Sequence, residues 1–74
     1  MGRKKSHITN RIRELRKLAG GRTQQELAER VGVTRQTIVA IERGNYSPSL
    51  EVAFRIAAEF DRTVDEVFSF ERDS

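Results

Sequence analysis

Apolar residues recur along the chain in short helical stripes separated by polar punctuation, and five such stripes can be read. Ile12, Leu15 and Leu18 (or Ala19) form the first, which predicts a helix over about 10–19 with Asn10 or Thr9 as its N-cap. Gly20 and Gly21 end it. Leu27, Ala28 and Val31 form the second, and Thr23 with Glu26 makes a T-x-x-E capping box that starts this helix at Gln24. Gly32 stops it, because glycine takes positive φ without strain. Val33 plugs the corner, Thr34 can N-cap a third helix, and Ile38 with Ile41 turn that helix back onto the second. Two short helices joined by so tight a turn form a helix-turn-helix over 24–43, with small Ala28 where the helices cross.

Beyond it, Gly44-Asn45-Tyr46-Ser47-Pro48 is a punctuated loop. Either Ser47 caps a fourth helix with Pro48 at its first position, or Ser49 caps it after Pro48. Leu50, Ala53, Ile56, Ala57 and Phe60 then mark a core face, whereas Val52 and Phe54 lie off its centre and suggest a second contact surface unless Phe54 broadens the core. Asp61-Arg62 reads as a turn, and Thr63 with Glu66 forms a second capping box opening a last short helix with Val64, Val67 and Phe68 inward. The closing Phe68-Ser69-Phe70-Glu71 alternates like a strand.

Composition narrows the function classes. Seventy-four residues make one small domain, and with no cysteine and one histidine there is neither a disulfide nor a metal-ligand pattern, so oligomerisation is the natural source of extra stability. No Ser, His and Asp arrangement supports catalysis, no cofactor is implied, and His7 reads as a surface residue. Neither a secretory signal nor a membrane span is present, and a cytoplasmic location is expected. Met1 to Ser6 fits a myristoylation pattern with a basic cluster, which ranks far below the readings that follow.

Net charge is +3, and its distribution says more than its total. Residues 1–22 carry eight Lys or Arg against Glu14, residues 23–43 are balanced, and residues 44–74 carry three Arg against seven acids. A basic front and an acidic back suit a protein presenting one side to a polyanion. Residues 1–7 read as a basic arm whose Arg3, Lys4 and Lys5 can reach DNA or stay in solvent, 8–70 as the domain, and 71–74 as a tail.

The run TQQELAERVGVTRQTIVAIERGNYSPSLEVAFRIA, residues 23–57, resembles the Cro- and phage-repressor-type (XRE) helix-turn-helix regulators, with a looser match to about residue 68. Gly20-Gly21-Arg22 departs from that family, which has a shorter turn and an apolar residue before Thr23. The resemblance implies an all-α, five-helix, lambda-repressor-like DNA-binding domain, to which the termini can add a small two-stranded β pair.

If the helix 34–43 enters a major groove, Gln36, Ala40 and Arg43 face away from Ile38 and Ile41, flanked by Arg35 and Val39. Arginine can bond guanine O6 and N7, glutamine adenine N6 and N7, and small apolar groups the thymine methyl. The resemblance places base contacts at Thr34, Arg35, Gln36 and Ala40. It gives Gln24 a contact to the DNA backbone, which a helix N-terminus also favours. Thr37, Arg43, Asn45 and Tyr46 are further phosphate candidates, and Tyr46 is as well suited to packing on the fourth helix. Glu42 is either solvated or, by resemblance, partnered by Arg16.

Taken together these features predict a sequence-specific double-stranded DNA-binding transcriptional regulator, a repressor acting as a homodimer. Ile8, Val52, Phe54 and Phe70 are the expected dimer surface, since short family members pair a strand before the first helix with one after the last. The rival is an antitoxin-like module that holds a protein partner on the same apolar residues. An RNA-binding role ranks lower, because the aromatics are core-spaced.

Overall fold

The computed structural model describes residues 6–72. The arm residues Arg3, Lys4 and Lys5 and the end of the tail therefore lie outside the described residues. The element order is β1 (Ile8–Asn10), α1 (Ile12–Leu18), α2 (Gln24–Val31), α3 (Arg35–Glu42), α4 (Leu50–Glu59), α5 (Val64–Val67) and β2 (Phe68–Phe70). The strands pair antiparallel with Ile8 opposite Phe70, Thr9 opposite Ser69 and Asn10 opposite Phe68. Five helices and a terminal strand pair are the architecture that the pattern predicts.

Helix boundaries follow local chemistry. Thr23 accepts the N–H of Glu26 at 3.0 Å while Glu26 accepts the N–H of Thr23 at 2.8 Å, so the capping box is complete. The Thr23 backbone N–H holds the Glu26 carboxyl below the ordinary carboxylate range. At the start of α5 the Thr63 N–H donates to Glu66 Oε1 at 2.8 Å, one arm of a second box, while the Glu66 N–H goes to the Thr63 carbonyl at 3.1 Å. Thr34 caps α3, and Ser49, not Ser47, caps α4 by accepting the N–H of Val52 at 3.2 Å. Gly32 ends α2 at φ +80°. An added Cβ there meets Arg55 Nη1 at an ordinary 3.5 Å, so only the backbone objects. Gly32→Ala should cost about 1–2 kcal/mol, the left-handed penalty of an L-residue, read as a lower urea midpoint with unchanged slope.

Ile12, Leu15, Leu27, Ala28, Val31, Ile38, Ile41, Ala53, Ile56, Ala57, Val67 and Phe68 form one buried cluster, with Ile8, Val33, Val52, Phe60 and Val64 half-buried against it. Four expectations need correction. The first helix begins at Ile12 with Arg11 as N-cap, because Asn10 is committed to β1. The Asn10 side chain still caps from there, its Oδ1 accepting the N–H of Ile12 at 3.1 Å. Leu18 and Ala19 are both exposed, since the chain leaves the core where the glycine turn begins. Leu50 is 73% exposed although its spacing continues the α4 stripe, because the first residue of that helix projects beyond the core. Val52, expected off the stripe as an exposed group, is half-buried against the core. No helix among the described residues is long and apolar enough to cross a membrane.

Candidate nucleic-acid interface

α2 and α3 are held as a unit by Leu27, Ala28 and Val31 facing Ile38 and Ile41, which leaves the far side of α3 outward. Arg35 and Gln36 stand exposed in its first turn, and Thr37, Val39 and Ala40 are half-buried. Thr34 and Thr37 are bound to each other, through the Thr37 N–H at 3.2 Å and between hydroxyls at 3.0 Å, so their positions are fixed by the cap. At the other end Gly44 takes φ +77°, and the N–H groups of Gly44 and Asn45 close the helix on the carbonyls of Ile41 and Ala40. Asn45 and Tyr46 then project into solvent, with Tyr46 53% exposed, so it is not absorbed by packing on α4.

Beside α3 an open cleft is lined by Arg13, Arg16, Gly21, Arg22, Thr23, Gln24, Gln25, Arg35, Val39, Glu42 and Arg43. Five of these are arginines and one is an acid. Glu42 is answered by Arg16 in a two-pronged ion pair, Nε to Oε2 at 2.8 Å and Nη2 to Oε1 at 3.1 Å, the partner that the resemblance implies. Gln24 Nε2 donates to the same Oε1 at 3.0 Å. An amide nitrogen carries two hydrogens, so one remains for a ligand while the other fixes the side chain. Arg22 pairs with Glu59 at 3.0 Å. Arg13, Arg35 and Arg43 have no ion pair among the described residues and leave the cleft positive. The first i→i−4 bond of α2 comes from Leu27, and Glu26 is used by the cap, so the N–H groups of Gln24 and Gln25, two residues that line the cleft, are left without an intrahelical partner.

The cleft gathers Gln24, Arg35 and Arg43, whereas Thr34 caps α3, Gln36, Thr37 and Ala40 lie on the rest of it, and Asn45 and Tyr46 lie beyond its end. Sequence reasoning missed Arg13, Arg22 and Gln25 as cleft residues. Arg13 had a readable signal, standing three residues before Arg16 on the same helical face. Nothing among the described residues groups His, Cys, Asp and Glu as a metal would need.

A helix-turn-helix family model matches residues 12–67. An uncharacterized HTH-type transcriptional regulator of Methanothermobacter thermautotrophicus is 57% identical over 63 residues, covering 84% of this chain and 90% of that one. Another of Archaeoglobus fulgidus is 49% identical over 64 residues, covering 86% and 90%. The uncharacterized HTH-type transcriptional regulator YgzD of Bacillus subtilis is 45% identical over 67 residues, covering 90% of this chain and all of its own. With its capped α2–α3 pair, its outward α3 and these relatives, the chain belongs to the XRE-type helix-turn-helix family of DNA-binding transcriptional regulators.

Proposed function

We propose that this protein is a sequence-specific double-stranded DNA-binding repressor that lays α3 in the major groove and works as a homodimer. The observation that carries this reading is the exposed Arg35-Gln36 turn of α3 rising beside a cleft with unpaired arginines and open α2 N–H groups. Phosphate oxygens fit the cleft: the Gln24 and Gln25 N–H groups, the free Gln24 amide hydrogen, Arg13 and Arg43 are all donors. With register set by those contacts, Thr34, Arg35, Gln36 and Ala40 reach base edges, and Thr37, Asn45 and Tyr46 border the backbone. Ser6 is buried and donates its N–H to the Gly44 carbonyl just past the end of α3, and Arg3, Lys4 and Lys5 are counted with the phosphate-binding residues. Occupying a DNA site blocks access to it, which favours repression.

Selection of bound sites from random duplexes tests the reading, and a preferred, two-fold symmetric sequence is the expected result. On that site Arg35→Ala and Gln36→Ala should each lose about 1–3 kcal/mol and relax preference at one base pair, with helical content unchanged. Equal binding of all sequences by parent and variants would remove the reading face from α3.

A further inference from the structure

Gly20-Gly21-Arg22 departs from the family pattern, and the structure shows how that turn is held. Gly20 and Gly21 take φ of +90° and +81°, and a Cβ at either would meet nothing within 4 Å, so it is the backbone conformation and not a lack of space that calls for glycine there. Hydrogen bonds to Arg16 fix the turn instead. The N–H groups of Gly21 and Arg22 donate to the Arg16 carbonyl at 3.1 and 3.0 Å, and Arg16 Nη1 returns a bond to the Arg22 carbonyl at 2.9 Å. The same guanidinium holds Glu42 with its other two nitrogens. Arg22 in turn extends its own guanidinium to Glu59, the last residue of α4, whose Oε1 also receives Arg30.

We propose that Arg22 is a positioning residue: latched to Glu59, it holds its carbonyl where Arg16 needs a third acceptor, and so keeps Glu42 and Gln24 in place on the DNA-facing side. This rests on the DNA-binding reading above. The latch replaces apolar packing with an ion pair whose side chains are 26% and 20% exposed, which makes the α1–α2 turn an electrostatic joint between α4 and the cleft. The competing role for Arg22 is a direct phosphate contact, since it also lines the cleft. The two roles predict opposite behaviour of Glu59. If Glu59 is the latch, losing it acts like losing Arg22; if Glu59 merely restrains a phosphate ligand, losing it frees the arginine and strengthens binding.

The experiment compares the full-length parent with Arg22→Gln, Glu59→Gln, the double variant and Arg30→Gln. Each of the first two should weaken binding to the selected site by about 3- to 10-fold with the salt slope unchanged, and the double variant should be no worse than either. In the free protein the Arg16 side-chain Nε–H resonance should shift and exchange faster in both, and stay put in Arg30→Gln, because the Arg30 side chain bonds Glu59 and not the Arg16 cluster. Tighter binding by Glu59→Gln, a salt slope lowered by about 0.9 in Arg22→Gln, or an Arg16 resonance that ignores both substitutions would overturn the proposal. A parent without sequence preference removes the reading of function, while the Arg16 resonance still decides whether the latch exists.

Discussion

Glu42→Ala should destabilise the domain by about 2–4 kcal/mol and at the same time make it a less discriminating binder of DNA. Its carboxylate collects three donors, two from Arg16 and one from Gln24, and the ion-paired side chains are only 14% and 9% exposed. Removing the acid leaves a mostly buried guanidinium with the Arg22 carbonyl as its remaining acceptor, a charge that water reaches poorly. A domain of this size has a total stability of about 4–11 kcal/mol, so the loss takes a large share of it and the urea midpoint should fall sharply. Binding should change in the other direction for unselected duplexes. The cleft gains one net positive charge, which raises affinity for any phosphate backbone, while Gln24 loses the bond that orients it. Glu42→Gln preserves shape but accepts at one oxygen only, and should fall between. Unchanged stability together with unchanged discrimination would remove Glu42 from the site.

The parts of the fold that were legible in the sequence are those fixed within a few residues. Thr23 with Glu26 closes a capping box, and Glu66 reaches back to the Thr63 N–H, because donors and acceptors three residues apart meet in any helix start. Gly32 ends α2 for the same local reason. What periodicity misplaced were the ends of stripes. Leu18 and Leu50 carry the right spacing, but whether a helix still touches the core in its outermost turn depends on where its neighbours stop. Asn10 was legible as a cap and illegible as a strand residue, because its pairing with Phe68 spans almost the whole chain.

The candidate site divides in the same way. The outward residues of α3 follow from Ile38 and Ile41 being inward, which a helical wheel supplies. The cleft beside them is assembled from α1, the glycine turn, α2 and α3, and no periodicity within one element announces it. Arg22 meeting Glu59 is a contact across 37 positions between oppositely charged residues that are common on any surface. The Arg16–Glu42 pair was reachable only through family resemblance, since 26 residues separate the partners.

Phe70→Ser should abolish the proposed dimer and cost operator binding about 10²–10⁴-fold, because two linked reading helices gain effective concentration that one does not. Half-sites one helical turn apart require α3 helices held about 34 Å apart. The domain measures 35 × 23 × 22 Å, so two copies can stand side by side along a duplex at that spacing. The surface that joins them has to face away from phosphate, and the acidic 44–74 half supplies it. Phe54 and Phe70 are 59% and 66% exposed, and Leu50 adds an apolar group one turn before Phe54. Phe70 lies opposite Ile8 in the strand pair and its ring stands 6.3 Å from that of His7. The hydroxyls of Ser6 and Ser47 tie that end of the sheet to the loop leading into α4. Ile8 and Val52 are half-buried, so they contribute their outer edges to such an interface. An exposed phenylalanine contributes little to its own fold, so Phe70→Ser should leave thermal unfolding of the monomer nearly unchanged while it changes assembly. Sedimentation at micromolar concentration separates the alternatives. The parent should run as a dimer and Phe70→Ser as a monomer, with Phe54→Ser shifted the same way; a monomeric parent that still binds its site undiminished would sink the dimer and leave DNA itself to bring the two copies together.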